Sequence, residues 1–255
     1  MIQDLRTILD GWEYEPGKIS VRKIIGRDGH EKIQTRVDLG LLQLEPVGRP
    51  DGRRPYGYDS MLTFFETRLQ DHIARSGDDA GFVLLPEDCR DLRHEVHLCY
   101  QRYLSLFVLE EYDGVERDTE WNLRLIELCR RYAESEYDRT ALEAQWGYVL
   151  MMHTRAKVYQ AVDAKHFDTA LALLEDGRQR LLEWESSEER VDDESAAPEL
   201  EVLDALREEV FERMPADAAP RLEWKLNEAL ADEDYERAAE LRDQLSTARG
   251  AAQSG

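Results

Sequence analysis

Leu222-Glu223-Trp224-Lys225-Leu226-Asn227-Glu228-Ala229-Leu230 and, after an acidic break at Ala231 to Asp234, Tyr235-Glu236-Arg237-Ala238-Ala239-Glu240-Leu241-Arg242-Asp243-Gln244-Leu245 read as two short amphipathic helices. Leu222, Leu226, Ala229 and Leu230 fall at i, i+4, i+7 and i+8, and Ala238, Leu241, Leu245 and Ala248 repeat at three or four. Each half therefore carries one narrow apolar stripe, and two such stripes facing each other make a helical hairpin. Pro220 suits the first turn of the first helix, and Asp234 is placed to cap the second. The small side chains at Ala238 and Ala239 allow the two backbones to approach closely. Helices this short are marginal alone. The hairpin is expected to pack on its own chain, on a second copy or on a partner. Trp224 lies about 200° around its helix from Leu222, off the stripe, and is expected to cover the body of this protein or of another.

The same residues carry a family resemblance. Leu222, Leu226 and Ala229, the aromatic-acid pair Tyr235-Glu236, Ala238-Ala239 and Leu241-Arg242-Asp243 are similar to the UVR motif. That motif is the two-helix hairpin at the C-terminus of UvrB, and it recurs in UvrC and in some adaptors and chaperones of the Clp protease system. The departures sit mostly at the apex: Leu230 stands where a second Ala is usual, Glu233 where a Leu often anchors the turn, and Tyr235 where Phe is commoner. The resemblance covers about an eighth of the chain. It implies an interaction module over residues 216–250 without a catalytic group, with Leu222, Trp224, Leu226, Tyr235, Ala238, Ala239, Leu241 and Arg242 as the partner-binding residues. The partner it implies is UvrA, UvrB, UvrC or a Clp-type component, or a second copy of the chain.

With 255 residues and 42% hydrophobic content the chain is long enough for a substantial core. No run approaches eighteen apolar residues, and Met1-Ile2-Gln3-Asp4-Leu5 lacks a basic-then-apolar signal, so a cytoplasmic protein without a membrane span is expected. Three cysteines without framework spacing agree with a reducing compartment. The net charge of −22 is uneven, because residues 1–60 hold ten basic and ten acidic side chains and everything negative follows them. Within residues 18–54 nine Lys or Arg stand against five acids. A locally basic head on an acidic helical body disfavours broad nucleic-acid binding and leaves the head as the possible exception.

Residues 1–80 read as a small α+β head. Ile19, Val21, Ile24 and Ile25 precede the hairpin signal Asp28-Gly29, and Ile33, Thr35, Val37 and Leu39 then alternate with Lys32, Gln34, Arg36 and Asp38. Leu41, Leu42 and Leu44 continue the hairpin or start a third strand. The Pro- and Gly-rich stretch from Pro46 to Tyr58 is a loop. Asp59 or Ser60 then caps a helix carrying Met61, Leu62, Phe64, Phe65, Leu69 and Ile73. Residues 86–184 read as a helical domain with helices near 87–112, 118–134, 138–164 and 167–184. Asp118-Thr119 and Asp168-Thr169, fifty residues apart, are each read as opening the second helix of a pair, which suggests duplicated hairpins. His166-Phe167-Asp168-Thr169-Ala170-Leu171-Ala172-Leu173-Leu174 is similar to the second helix of a tetratricopeptide repeat, so the body reads as TPR-like. Residues 185–215 read as an acidic linker, solvated near Ser186 to Ala197, with one helix carrying Leu200, Leu203, Leu206, Val210 and Met214.

Candidate chemistry is sparse. Cys89, His94, His97 and Cys99 invite a metal reading, but Cys99 lies about 200° around the helix from His97. Cys89, Leu92, Val96, Cys99, Tyr103 and Phe107 repeat instead at three and four, which makes the thiols core fillers. There is no Gly-x-Ser-x-Gly, no phosphate loop ending in Lys-Ser or Lys-Thr, and His94-Glu95-Val96-His97 is one residue too short for a zinc-protease motif. No enzyme, metal or cofactor is expected. The remaining candidate is the loop with Arg49, Arg53, Arg54, Tyr56 and Tyr58, suited to an anion or a partner. Pairing of these arginines with acids of the same chain stands first, a protein partner second and nucleic acid third. The chain is expected to be a mainly α, non-catalytic interaction adaptor.

Overall fold

Three antiparallel strands, β1 (Val21–Ile25), β2 (Glu31–Val37) and β3 (Gly40–Leu44), form a sheet in sequence order. The turn at Asp28-Gly29 is a three-residue loop. The Gly26 N–H donates to the His30 carbonyl at 2.7 Å, and Gly29 takes φ 78°, a conformation that only glycine enters without strain. Leu41 to Leu44 make a separate strand, because Val37 pairs with Gly40 across Asp38-Leu39 and leaves Leu39 89% exposed at the bend. Ile33 and Thr35 are buried as the alternation requires, yet Lys32 and Gln34 on the opposite face are buried too. Lys32 sits between Asp28 and Glu45, each at 2.7 Å, and Gln34 between Arg22 at 2.9 Å and Gln43 at 3.0 Å. The short helix α1 (Arg6–Leu9) and the segment behind it cover this face, with the Arg22 guanidinium 4.0 Å from the centre of the Trp12 ring.

The computed structural model describes residues 4–186 and 197–252. The solvated part of the expected linker at 187–196 lies outside the described residues. The helices that follow the sheet are α2 (Met61–Ser76), α3 (Pro86–Val108), α4 (Tyr112–Tyr132), α5 (Glu136–Thr140), α6 (Trp146–Asp163), α7 (Phe167–Glu185), α8 (Ala197–Arg213), α9 (Ala219–Ala231) and α10 (Tyr235–Ala252). The protein is mainly α, with a helical middle. Ser60 caps α2 through its hydroxyl, which accepts from the Thr63 N–H at 3.0 Å.

Two helix expectations change. The helix expected at 138–164 is broken into α5 and α6, because Ser135 caps a first turn whose Asp138 is held by Arg93 and a 3₁₀ turn follows at Glu143–Gln145. The helix expected from 118 begins at Tyr112, so Asp118 and Thr119 lie two turns inside α4 while Asp168 and Thr169 lie in the first turn of α7. The two Asp-Thr pairs are therefore not equivalent. What repeats is the turn. α3 to α4, α6 to α7 and α9 to α10 are each joined by three residues whose middle member, Glu110, Lys165 or Glu233, takes a left-handed φ of 58°, 61° or 58°. In each, the last turn residue donates its N–H to a carbonyl five positions back, as in Glu111 to Leu106 at 2.9 Å, His166 to Ala161 at 2.8 Å and Asp234 to Ala229 at 2.8 Å. This is a Schellman closure with a charged residue where glycine is usual.

Two apolar cores cross the boundaries drawn from sequence. One joins Ile33 and Leu44 of the sheet to Tyr103, Leu106, Leu150, Leu174 and Leu181, and includes Leu203, Leu206 and Val210 of α8 and Met214 just beyond it. The helix expected inside a linker thus belongs to the core, packed on α6 and α7. The other core joins Met61, Leu62 and Phe65 of α2 to Cys89, Leu92, Val96, Leu125 and Cys129. Cys89, Cys99 and Cys129 are free and buried. α6 and α7 cross so closely that a Cβ at Gly177 would lie 2.3 Å from the Thr154 hydroxyl oxygen.

Buried polar groups fix the head to the helices. Arg102 makes a two-pronged contact with Asp118 at 2.6 and 2.8 Å and donates to the carbonyls of Glu45 at 2.9 Å and Gly48 at 2.7 Å. Glu95, fully buried on α3, accepts from the Met61 and Leu62 N–H groups at 2.8 and 3.2 Å, placing a carboxylate at the N-terminus of α2.

Candidate functional site

α9 and α10 close on a small apolar seam of Leu222, Ala229, Ala238, Leu241 and Leu245, flanked by Ala219, Leu226 and Ala248. Pro220 stands in the first turn of α9, and the Asp234 carboxylate accepts from the Arg237 N–H at 3.0 Å to cap α10. Trp224 faces the body, stacked on Phe211 of α8 with ring centres 5.3 Å apart and planes 10° from parallel. The Arg221 guanidinium donates to the Met214 carbonyl at the same junction.

The eight hairpin residues singled out from sequence therefore divide three ways. Leu222, Leu226, Ala238 and Leu241 lie in the seam between the two helices, and Trp224 joins the hairpin to α8. Tyr235, Ala239 and Arg242 are exposed, and their spacing of i, i+4 and i+7 aligns them as one outward stripe on α10. Leu230, which the sequence reading placed on the internal stripe, is 49% exposed across the turn from Tyr235, itself 68% exposed. Leu230 and Tyr235 are thus exposed on either side of the acidic turn Asp232 to Asp234.

The arginine loop is also assembled by the fold. Arg49, Arg53, Arg54 and Tyr56 converge with Asp91 and His94 of α3 on a cavity of about 400 Å³. The Arg49 side chain is only 8% exposed and lies between Asp51 at 3.0 Å and Glu95 at 3.3 Å. Arg54 pairs with Asp59 at 2.9 Å, and Arg53 is 82% exposed with Asp51 at 3.9 Å. Tyr56 stacks on Phe64 at 4.4 Å and Tyr58 meets the same ring edge-on at 5.5 Å. Asp91 is not marked by sequence and His94 is weighed there only as a metal ligand, since nothing local ties one face of α3 to a loop forty residues earlier.

Among the described residues no group of three or more His, Cys, Asp or Glu side chains is arranged to hold a metal, and no helix is long and apolar enough to cross a membrane. Burial pushes the Cys99 thiol well above its ordinary value.

The two helices thus make a closed hairpin whose second helix carries an exposed stripe. Residues 219–250, coincident with α9 and α10, match the family described as the UvrB/uvrC motif. No curated protein and no solved structure matches the chain.

Proposed function

We propose that the chain is a non-catalytic adaptor that engages a protein partner through the outward face of its C-terminal hairpin, in the setting of nucleotide excision repair. The observation that carries this reading is the separation of roles within the hairpin. The seam residues are consumed in closing it, while Tyr235, Ala239, Arg242 and Leu230 are left facing outward on the segment that matches the UvrB/uvrC motif. An aromatic and an arginine beside a small residue suit a protein contact, because Tyr and Arg supply large contact area and directed hydrogen bonds at modest entropic cost. A Clp-type component is the second partner class, because UVR hairpins also occur in adaptors of that system.

Nucleic-acid binding through the head has less support. All three loop arginines lie within ion-pair distance of acids of the same chain, and the residues after position 60 carry the whole of the −22 charge, which opposes phosphate approach. The test is equilibrium binding of the full chain to purified UvrA, UvrB, UvrC and a Clp ATPase. Saturable, one-to-one binding to a repair protein is expected. Binding to none of these proteins, together with salt-sensitive binding to DNA, would replace the adaptor reading by the nucleic-acid one.

A further inference from the structure

Away from the hairpin and the arginine loop, the body holds a cavity of about 470 Å³ where α3, α6 and the start of α8 meet. That volume falls in the range of small-ligand sites, about 300–1,000 Å³. Its wall is aromatic. Tyr100, Tyr103 and Tyr148 line it together with His97, and Tyr100 meets Tyr103 edge-on at 5.4 Å and Tyr148 at 6.3 Å. His97 stacks on Tyr100 at 6.3 Å.

Three observations say what would occupy it. Tyr103 is fully buried, and its hydroxyl oxygen has no hydrogen-bond partner among the described residues. A buried phenol in that condition is costly unless something in the cavity bonds to it. Glu199, in the first turn of α8, lines the same cavity and makes no ion pair among the described residues. The cation that shares the wall, Arg93, is held by Asp138 and lies 5.6 Å from the centre of the Tyr137 ring, so its charge is already matched. An anion would meet a carboxylate that is unmatched among the described residues, and a purely apolar ligand would leave the Tyr103 hydroxyl without a partner there. A cation that donates hydrogen bonds answers both. Burial raises the phenols of Tyr103 and Tyr148 above their ordinary value, so the rings stay neutral and electron-rich at physiological pH. The acidic chain, at −22, also concentrates cations at its surface.

We propose that this cavity binds a primary alkylammonium group, with Glu199 as its counter-ion, the rings of Tyr100 and Tyr148 as a cation-binding wall and the Tyr103 hydroxyl as a hydrogen-bond acceptor. A lysine side chain of another protein and a free small amine present the same chemistry. The site is separate from the hairpin, so its failure leaves the adaptor reading untouched.

Calorimetric titration of the full chain with n-butylammonium, 1-butanol and tetramethylammonium tests it. Saturable binding of n-butylammonium is expected, with 1-butanol weaker by roughly tenfold or more, because it lacks the charge that Glu199 and the rings recognise. Tetramethylammonium is expected to bind more weakly than n-butylammonium, since it cannot donate to Tyr103. Glu199→Gln should lower n-butylammonium affinity roughly tenfold. Tyr103→Phe gives the sharpest reading, because it should raise the Tm of the unliganded protein by removing the orphan hydroxyl and yet weaken ligand binding severalfold. Tighter binding of acetyl-Gly-Lys-Gly-amide than of n-butylammonium would assign the ligand to a protein side chain, and weaker binding to a free amine. Equal affinity for 1-butanol and n-butylammonium, no saturable binding, or wild-type affinity in Tyr103→Phe would overturn the proposal.

Discussion

Leu241→Asp should unfold the C-terminal hairpin and leave the rest of the molecule intact. Leu241 is 7% exposed in a seam whose other buried leucines are Leu222, at 3%, and Leu245, at 7%, with Ala229 and Ala238 between them and Leu226 partly buried at the edge. Burying a leucine contributes about 2 kcal/mol, so these three supply about 6 kcal/mol before the entropy of ordering two short helices is charged against them. Aspartate forfeits one of the three and places a carboxylate among apolar groups, which costs several kcal/mol more. The sum exceeds anything the seam retains. The body should not follow, because the hairpin reaches it chiefly through the Trp224–Phe211 stack and the Arg221 bond to the Met214 carbonyl. Amide hydrogen exchange read by mass spectrometry measures this directly. Residues 219–249 should exchange at unfolded-chain rates while α3, α4 and α6 keep wild-type protection. Retained protection in α9 and α10, or parallel loss in α6 and α8, would refute the reasoning.

Glu233→Gly should stabilise the hairpin by up to about 1 kcal/mol, because glycine enters the left-handed position that Glu233 occupies without the Cβ penalty; slower exchange in α9 and α10 would register it. Arg102→Met should cost about 3 kcal/mol in urea unfolding. It leaves Asp118 buried with Arg117 at 3.0 Å as its remaining cation and strands the carbonyls of Glu45 and Gly48, so a loss under about 1 kcal/mol would contradict the role given to this pair. Burial, then the nearby Lys157 charge, hold the His153 imidazole below its ordinary value. The unfolded chain therefore takes up a proton that the folded chain resists. Stability should be retained above the unfolded histidine value, about 6.5, and fall as pH drops below it. Urea midpoints of wild type and His153→Gln should accordingly diverge between pH 7.5 and 5.5, wild type losing more.

Helix periodicity made most of the fold legible, because stripes such as Cys89, Leu92, Val96, Cys99 and Tyr103 are local patterns with one geometric meaning. The hairpin seam was legible for the same reason. α8 was misjudged because its acids dominate composition, while its buried Leu203, Leu206 and Val210 find their place only against α6 and α7. Asp118 reads in sequence as opening a helix and is an ion-pair partner of Arg102, a fact that depends on a residue sixteen positions away on another helix. The charged residues Glu110, Lys165 and Glu233 concealed three identical turns, since sequence signals helix ends by glycine. Within the candidate site, spacing alone separated Trp224 from the seam, but the exposed stripe of Tyr235, Ala239 and Arg242 emerged only when the direction of α10 against α9 was fixed.

That stripe carries the central claim, and a separation-of-function variant tests it most directly. Tyr235→Asp, Ala239→Glu and Arg242→Glu together change only exposed positions, so circular dichroism and the Tm should match wild type. Equilibrium binding of wild type and this variant to the partner identified from the repair and Clp panel is the measurement. The account predicts loss of binding by at least tenfold with the hairpin still folded. Wild-type affinity in the folded variant would contradict it and move the binding surface away from α10.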